Sequence, residues 1–362
     1  MVVFPLLVTF LFTSMMNEGQ PQRMPVGIVD HDGTSTSRSM VQRLTTFQTT
    51  KVVDYYPTVG DARKAIQRNE IYAYLYIPEG MTEALMASRQ PKVSFYYTQT
   101  SLMSGAMLYR DLKMLCMLAS ASVGQKTLAA KGYPEKSIMA FLQPITIDVH
   151  AINNPWMNYN TYLSNMLIPA CLLLFVFLIT AYSLGTELKF GTAKELLAMA
   201  NGHISLALAG KFLPHTLIFL MVMFINNFYE YVILDFPMQG SIISLVLLDI
   251  LSLFASQGFA IFIFGLVPSL RLSMSICSLW GVLSFSLVGT AFPVPAMDIP
   301  LQLLAQLFPM RHYYMIYQLT VFNGYPLEYA WIHFGVLLIF IGLPLFTMYN
   351  IKKAMNKYEY IP

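Results

Sequence analysis

Apolar blocks nearly free of charge alternate with short polar turns over the C-terminal two-thirds of the chain, and one long polar region precedes them. Five blocks, at 163–184, 212–231, 241–267, 272–292 and 329–349, have the length and near absence of charge that a membrane-crossing helix needs. A sixth block at 2–16 is apolar throughout. At about 15 residues it reaches only ~23 Å, short of a ~30 Å hydrocarbon core. It has neither the basic flank nor a clear small-residue cleavage site of a signal peptide. The expectation is six spans, the first cut short at its start with a cytoplasmic leader preceding it; the alternative is a short anchor.

Basic residues orient the spans. Lys189, Lys194 and Lys211 follow the second block, Arg271 separates the fourth and fifth, and Lys352, Lys353 and Lys357 follow the sixth. A six-span count puts all of these on one side, and short loops rich in Lys and Arg face the cytoplasm. Both termini are then cytoplasmic. The turn at 235–240, the segment 293–328 and the long polar region fall outside; long loops cross regardless of charge.

The polar region, 17–158, holds 14 of the 22 Lys and Arg and 11 of the 19 Asp and Glu. Short runs rich in β-branched and aromatic residues at 26–30, 52–56, 71–77, 93–97 and 145–152 predict strands. Helical patterns lie between them at 37–47, after a Ser/Thr-rich turn, at 61–68, opened by Asp61 after Gly60, and at 101–131, with Met103, Met107, Met114 and Leu118 among its apolar positions. The 24 methionines suit an adaptable binding surface or ordinary gap-filling in a core, and the core reading weighs more. The fold class expected is an α-helical polytopic membrane protein with six transmembrane helices and an inserted mixed α/β extracytoplasmic domain. Its parts are 1–16, 17–158 and 159–362. Residues 293–310, broken by Pro293, Pro295, Pro300 and Pro309, read as an outer re-entrant or interfacial hairpin, or as an ordinary loop with one amphipathic helix.

Composition narrows the function. The chain is 56% hydrophobic and 11% charged with a net charge of +3, which gives no electrostatic footprint for nucleic acid. Cys116 falls in the polar region, Cys171 and Cys277 in apolar blocks, so no structural disulfide is expected. Gly210-Lys211 is followed by Phe212 rather than Ser or Thr, and Gly124 and Lys126-Thr127 also break the phosphate-loop pattern. This chain therefore does not bind ATP by that route. Asp30-His31-Asp32-Gly33 groups oxygen and imidazole ligands, but Asp and Gly favour a strand-to-helix turn and no partner ligands are visible; no metal is expected.

Asp249 lies inside the fourth block, and a carboxylate there is a functional hypothesis because burying it is costly. Gln257 lies two turns further on, and the third block offers Asn226, Asn227 and Glu230 at its outer end. These five are candidates for a polar patch on a substrate path or for a proton site; the alternative is a carboxylate satisfied by a neighbouring span. His215 reads as interfacial.

Between the second and third blocks lies a compact, charged, helix-prone loop. Gly191-Thr192 followed by Leu196-Leu197, with Glu187 and Lys189 upstream, resembles the signature of ABC-2 type transporter permeases. Gly210-Lys211 and Pro214, the run from Val26 through Asp30 and Asp32 to Arg38, Asn154-Pro155, and Phe308-Pro309 also fit. So does the order of one span, a large outer domain and five spans. Lys194 stands where the family usually has an acidic residue, with Glu195 beside it, and Ala200 where it commonly has proline. The family's cytoplasmic helix before the first span is not seen.

The resemblance implies the membrane subunit of a bacterial ABC exporter, in the cytoplasmic membrane, with no enzymatic activity of its own. ATP and Mg would sit on a separate ATP-binding cassette ATPase, and no cofactor on this chain. Residues 187–201 would be the coupling helix, contacting the ATPase through Glu187, Lys189, Gly191, Thr192, Lys194, Glu195, Leu196 and Leu197. A second permease copy, identical or paralogous, membrane lipid, and an optional periplasmic adaptor are the other partners implied. Two further classes stay open. A proton-coupled secondary transporter centred on Asp249 would show inverted repeats, which are not found. A membrane-anchored receptor or adhesin would use the outer domain but leaves five further spans unexplained.

Overall fold

The structure is a computed structural model and describes residues 1–87, 89–143, 150 and 153–357. The chain forms two compact units, Gln20–His150 and a second that joins Met1–Gly19 to Ala151–Pro362.

The joined unit begins with α1 (Val3–Met15). Its Thr9 and Thr13 hydroxyls donate back to the carbonyls of Pro5 and Thr9 at 3.2 and 2.8 Å. That satisfies both inside the helix and leaves Phe4, Leu7, Phe10 and Leu11 outermost.

The Gln20–His150 unit alternates strands and helices: β1 (Met24–Asp30), α2 (Ser35–Leu44), β2 (Thr50–Tyr55), α3 (Val59–Gln67), β3 (Ala73–Ile77), α4 (Met81–Met86), β4 (Ser94–Tyr97), α5 (Leu102–Ala130) and α6 (Glu135–Leu142). The sheet order is β2-β1-β3-β4, with β1 parallel to both neighbours and β4 antiparallel to β3. Alternation along β1 and β3 explains the two layers. Val26, Ile28, Ala73, Leu75 and Ile77 pack with Met40, Val41 and Leu44 of α2 and Leu108, Leu112 and Leu115 of α5. Val29 and Tyr74 face the other way, onto Ala62 and Ala65 of α3. Gly27 is needed there, since a Cβ would lie 2.6 Å from the Tyr56 ring.

Three sequence expectations shift. The helix expected to open at Asp61 starts two residues earlier, because the Thr58 hydroxyl accepts from the Asp61 amide and caps it. α5 buries Met107, but Met114 and Leu118 are exposed; its burial ends at Leu115, where the sheet no longer covers it. The strand expected over 145–152 lies, apart from His150, outside the described residues.

The second unit continues with α7 (Tyr159–Phe190), α8 (Ala193–Met199), α9 (Ile204–Phe228), α10 (Ile242–Leu266), α11 (Leu270–Leu287), α12 (Ile299–Ala305), α13 (Pro309–Ile316), α14 (Trp331–Gly342) and α15 (Pro344–Lys357). π-helical turns extend α9 over Tyr229–Ile233 and α13 over Tyr317–Phe322. Among the described residues, five stretches are long and apolar enough to cross a membrane: Tyr159–Phe190, Ile204–Ile233, Ile242–Leu266, Leu270–Leu287 and Leu327–Lys357. α1, at 13 residues, is too short for that group. The first and last of the five outrun their apolar blocks, at Glu187–Phe190 and at Asn350–Lys357. Helices continue past the last apolar residue where their polar side chains reach water or a partner. Over 293–310 the chain makes a 3-10 turn, Val294–Ala296, and the short α12, which buries Ala305 and exposes Ile299, Leu301 and Leu303.

α10 is the centre of the bundle and packs against α7, α9, α11, α13, α14 and α15. Small residues make that possible. Ser252 and Ser256 are fully buried, and a Cβ on Gly258 would lie 2.5 Å from the Phe340 carbonyl oxygen of α14. Pro169 and Pro214 sit inside α7 and α9.

Candidate functional site

The loop joining α7 to α9 folds as a suspended helix. α7 ends where Gly191 takes φ +75°, a left-handed cap whose amide donates to Leu188 O at 3.3 Å. α8 follows and is closed by Asn201 and Gly202, both left-handed at φ +51° and +78°. The Gly202 amide donates to Leu197 O at 2.9 Å. The single helix expected over 187–201 is thus three pieces. Glu187 and Lys189 belong to the last turn of α7, Gly191-Thr192 is a turn, and only Ala193–Met199 forms the separate helix. Positive φ at both ends is what cuts it.

α8 is two-sided. Ala193, Leu197 and Ala200 are buried, and Ala193 with Leu196 joins a core of Leu184, Leu188, Leu208, Phe212, Phe264 and Ile351. Lys194, Glu195, Ala198 and Met199 point outward. Met199 is 81% exposed and Phe190, at the end of α7, is 71% exposed, with the Lys189 ammonium over its ring at 5.6 Å.

Glu187 ties this segment together. Its carboxylate accepts from the Thr192 hydroxyl, and the Lys211 ammonium of α9 donates to its other oxygen at 2.5 Å. The ion pair is largely shielded from solvent and locks the ends of α7 and α9 to the turn before α8. Sequence reasoning placed Glu187 and Thr192 in the site but did not pair them with Lys211. The available signal was one acidic and one basic residue at the facing ends of two consecutive apolar blocks. Phe190 and Met199 were missed, since an apolar residue beside a span gives no pattern of its own.

The polar residues within the apolar blocks separate into two groups. Asn227 donates to Asp249 Oδ2 at 2.5 Å, from α9 to α10. Glu230 and Asn226 are buried beside them on α9 and its π turn. Gln257 does not join: its Oε1 accepts from the Thr216 hydroxyl at 2.9 Å, two turns along. Tyr231 and Tyr317, which the sequence did not single out, share a hydroxyl–hydroxyl hydrogen bond of 2.8 Å between the two π turns. His215 is half-buried, its ring 5.9 Å from that of Phe212.

Asp30-His31-Asp32-Gly33 forms the strand-to-helix turn. Asp30 Oδ1 accepts from the amides of Asp32 and Gly33 at 3.0 and 3.1 Å, and its Oδ2 from the Ser37 hydroxyl at 2.7 Å. Asp32 Oδ2 accepts from the hydroxyls of Thr34 and Thr82 at 2.7 and 2.6 Å. Partial burial pushes the Asp32 carboxyl up, but the Thr82 and Thr34 hydrogen bonds outweigh it and hold it below the ordinary carboxylate value. Among the described residues no group of three His, Cys, Asp or Glu side chains is placed to hold a metal. The three cysteines are free thiols.

A bundle of apolar helices around a small-residue central helix, five of its stretches long enough to cross a membrane, is the architecture of a polytopic membrane protein. The chain matches the model of the ABC-2 family transporter proteins over residues 1–349, and it belongs to that family. Such proteins are the membrane component of ABC transporters, which implies an ABC ATPase as partner. No curated protein matches the chain.

Proposed function

We propose that this chain is the permease subunit of an ABC exporter, and that α8 is the element its ATPase moves. The observation that carries the reading is the mounting of α8. One face is packed into the bundle, the other offers Lys194, Glu195 and Met199, with Phe190 exposed at the end of α7, and the Glu187–Lys211 pair joins both spans to the turn that holds it. A push on the outer face would travel as rigid-body motion into α7 and α9. The charge alternation of Lys194 and Glu195 supplies specificity, and Phe190 and Met199 supply the apolar contact.

In this account ATP and Mg act on the partner, and the permease works as a pair of copies in a bacterial cytoplasmic membrane. Gln20–His150 lies on the extracytoplasmic side and both termini inside. The apolar outer faces of α9, α11 and α14, with Leu217, Met221, Leu279, Leu283, Leu338 and Ile339 exposed, suit lipid and the second copy.

The test is crosslinking. Cysteine introduced at Met199 should crosslink to the ATPase expressed with it, and a cysteine at exposed Tyr349 on α15 should not. Equal crosslinking from both positions would sink the assignment of α8.

A further inference from the structure

The polar cluster between α9, α10 and the continuation of α13 has a charge imbalance that ATPase coupling does not explain. Glu230 and Asp249 are each 3% exposed, and among the described residues neither makes an ion pair. Asp249 Oδ2 receives the Asn227 amide at 2.5 Å, but Glu230 Oε1 has no donor at all. Asn226 lies one turn before Glu230 on the same face, is buried, and has neither amide atom partnered. The Asp249 carboxylate is within electrostatic reach of Glu230 and of Tyr313.

Among the described residues, the groups around the two carboxylates supply no positive charge. Tyr231 from the first π turn and Tyr313 and Tyr317 from α13 and the second π turn complete the titratable groups that face the two carboxylates. Their rings and hydroxyls are neutral. Two carboxylates without a counter-charge are costly to bury in an apolar bundle, and one cation shared between them, with the Asn227 amide already on Asp249, removes much of that cost.

We propose that Glu230, Asp249 and Asn226 form an occluded site for one monovalent cation, a proton or an alkali-metal ion. The donor set is all oxygen, which suits a hard cation rather than a thiophilic metal. The unpartnered atoms are those such a cation satisfies. A proton on Glu230 turns an orphan acceptor into a donor, with the unpartnered Asn226 Oδ1 one turn away as an available acceptor, and an alkali ion would be held by the same oxygens. Glu230 sits in the first π turn, which the Tyr231–Tyr317 bond joins to the second. Such wide turns recur at functional sites, and occupancy here would bear on how α13 packs against α9.

The inference rests on reading these helices as membrane spans, and its test uses neither ATP nor the ATPase. The full chain in lipid nanodiscs is unfolded thermally in two series. Sodium chloride replaces choline chloride at fixed pH in one, and pH is varied in choline chloride in the other. Ligand that binds only the folded chain raises its midpoint. The wild type should gain stability with sodium, which identifies an alkali ion, or with falling pH, which identifies a proton. Glu230→Gln and Asp249→Asn, isosteric and uncharged, should each lose that response. If either fails to fold, Asn226→Ala, which removes no charge, must weaken the response. A wild type indifferent to both series, or variants that respond as it does, would overturn the proposal.

Discussion

Replacing Gly191 tests whether the mounting of α8 transmits force. The residue sits at φ +75°, and nothing lies within 4 Å of a Cβ built there, so the penalty for a side chain is backbone strain alone. An alanine costs ~1–2 kcal/mol in the left-handed region. Since about 1.4 kcal/mol is tenfold, it should lower the population with α8 correctly set by roughly tenfold. Asparagine, which tolerates this region, should cost less. Proline fixes φ near −65°, about 140° away, and should cost ~3 kcal/mol or more. It also deletes the amide that donates to Leu188 O at 3.3 Å. The assay is substrate export and permease-stimulated ATP hydrolysis by the reconstituted complex, with the level of chain in the membrane as control. Coupling should fall in the order Gly, Asn, Ala, Pro, with membrane insertion unchanged. A Gly191→Pro chain that transports normally, or a series that ignores backbone strain, would refute the reasoning.

Other expectations follow from the same geometry. Glu187→Gln should destabilise the chain by ~1–3 kcal/mol in thermal unfolding, less than a fully buried pair, because it leaves the largely but not fully shielded Lys211 ammonium without its counter-charge; adding Lys211→Met should recover part of the loss. Gly258→Leu should prevent α10 from meeting α14, since even a Cβ lies 2.5 Å from a backbone oxygen, and the chain should be recovered only as aggregate in size-exclusion chromatography. Asp32 is held below the ordinary carboxylate value in the folded chain, so its contribution is present at neutral pH and fades as pH falls through that lowered value. Acid unfolding of Asp32→Asn, followed by circular dichroism, should accordingly show a shallower loss of stability at the acid end than the parent.

The long elements were legible because each depends on a local pattern. Apolar blocks marked the five long helices, and short runs of β-branched and aromatic residues marked the strands, though not which face each residue takes. What escaped was decided by contacts distant in sequence or by backbone conformation. Asn201-Gly202 is a residue pair that favours the left-handed region and ends a helix, as both residues do here at φ +51° and +78°, and without weighing that stop the short helix was drawn too long. Lys211 reaches Glu187 across 24 residues, a pairing that no periodicity encodes. Asp249 and Gln257 share a helix face, yet Asn227 and Thr216 claim them separately. The π turns at Tyr229–Ile233 and Tyr317–Phe322 leave no sequence signature, and so Tyr231 and Tyr317 came to notice only through their hydrogen bond.

The most direct test of the central claim is affinity purification of the tagged chain from its native membrane in mild detergent, comparing the parent with Lys194→Glu and Glu195→Lys. The account predicts that an ATP-binding cassette ATPase accompanies the parent and is lost from the charge-reversed chains, which remain folded in the membrane. Retention of the ATPase by the reversed chains, or its absence from crosslinked preparations of the parent, would contradict it.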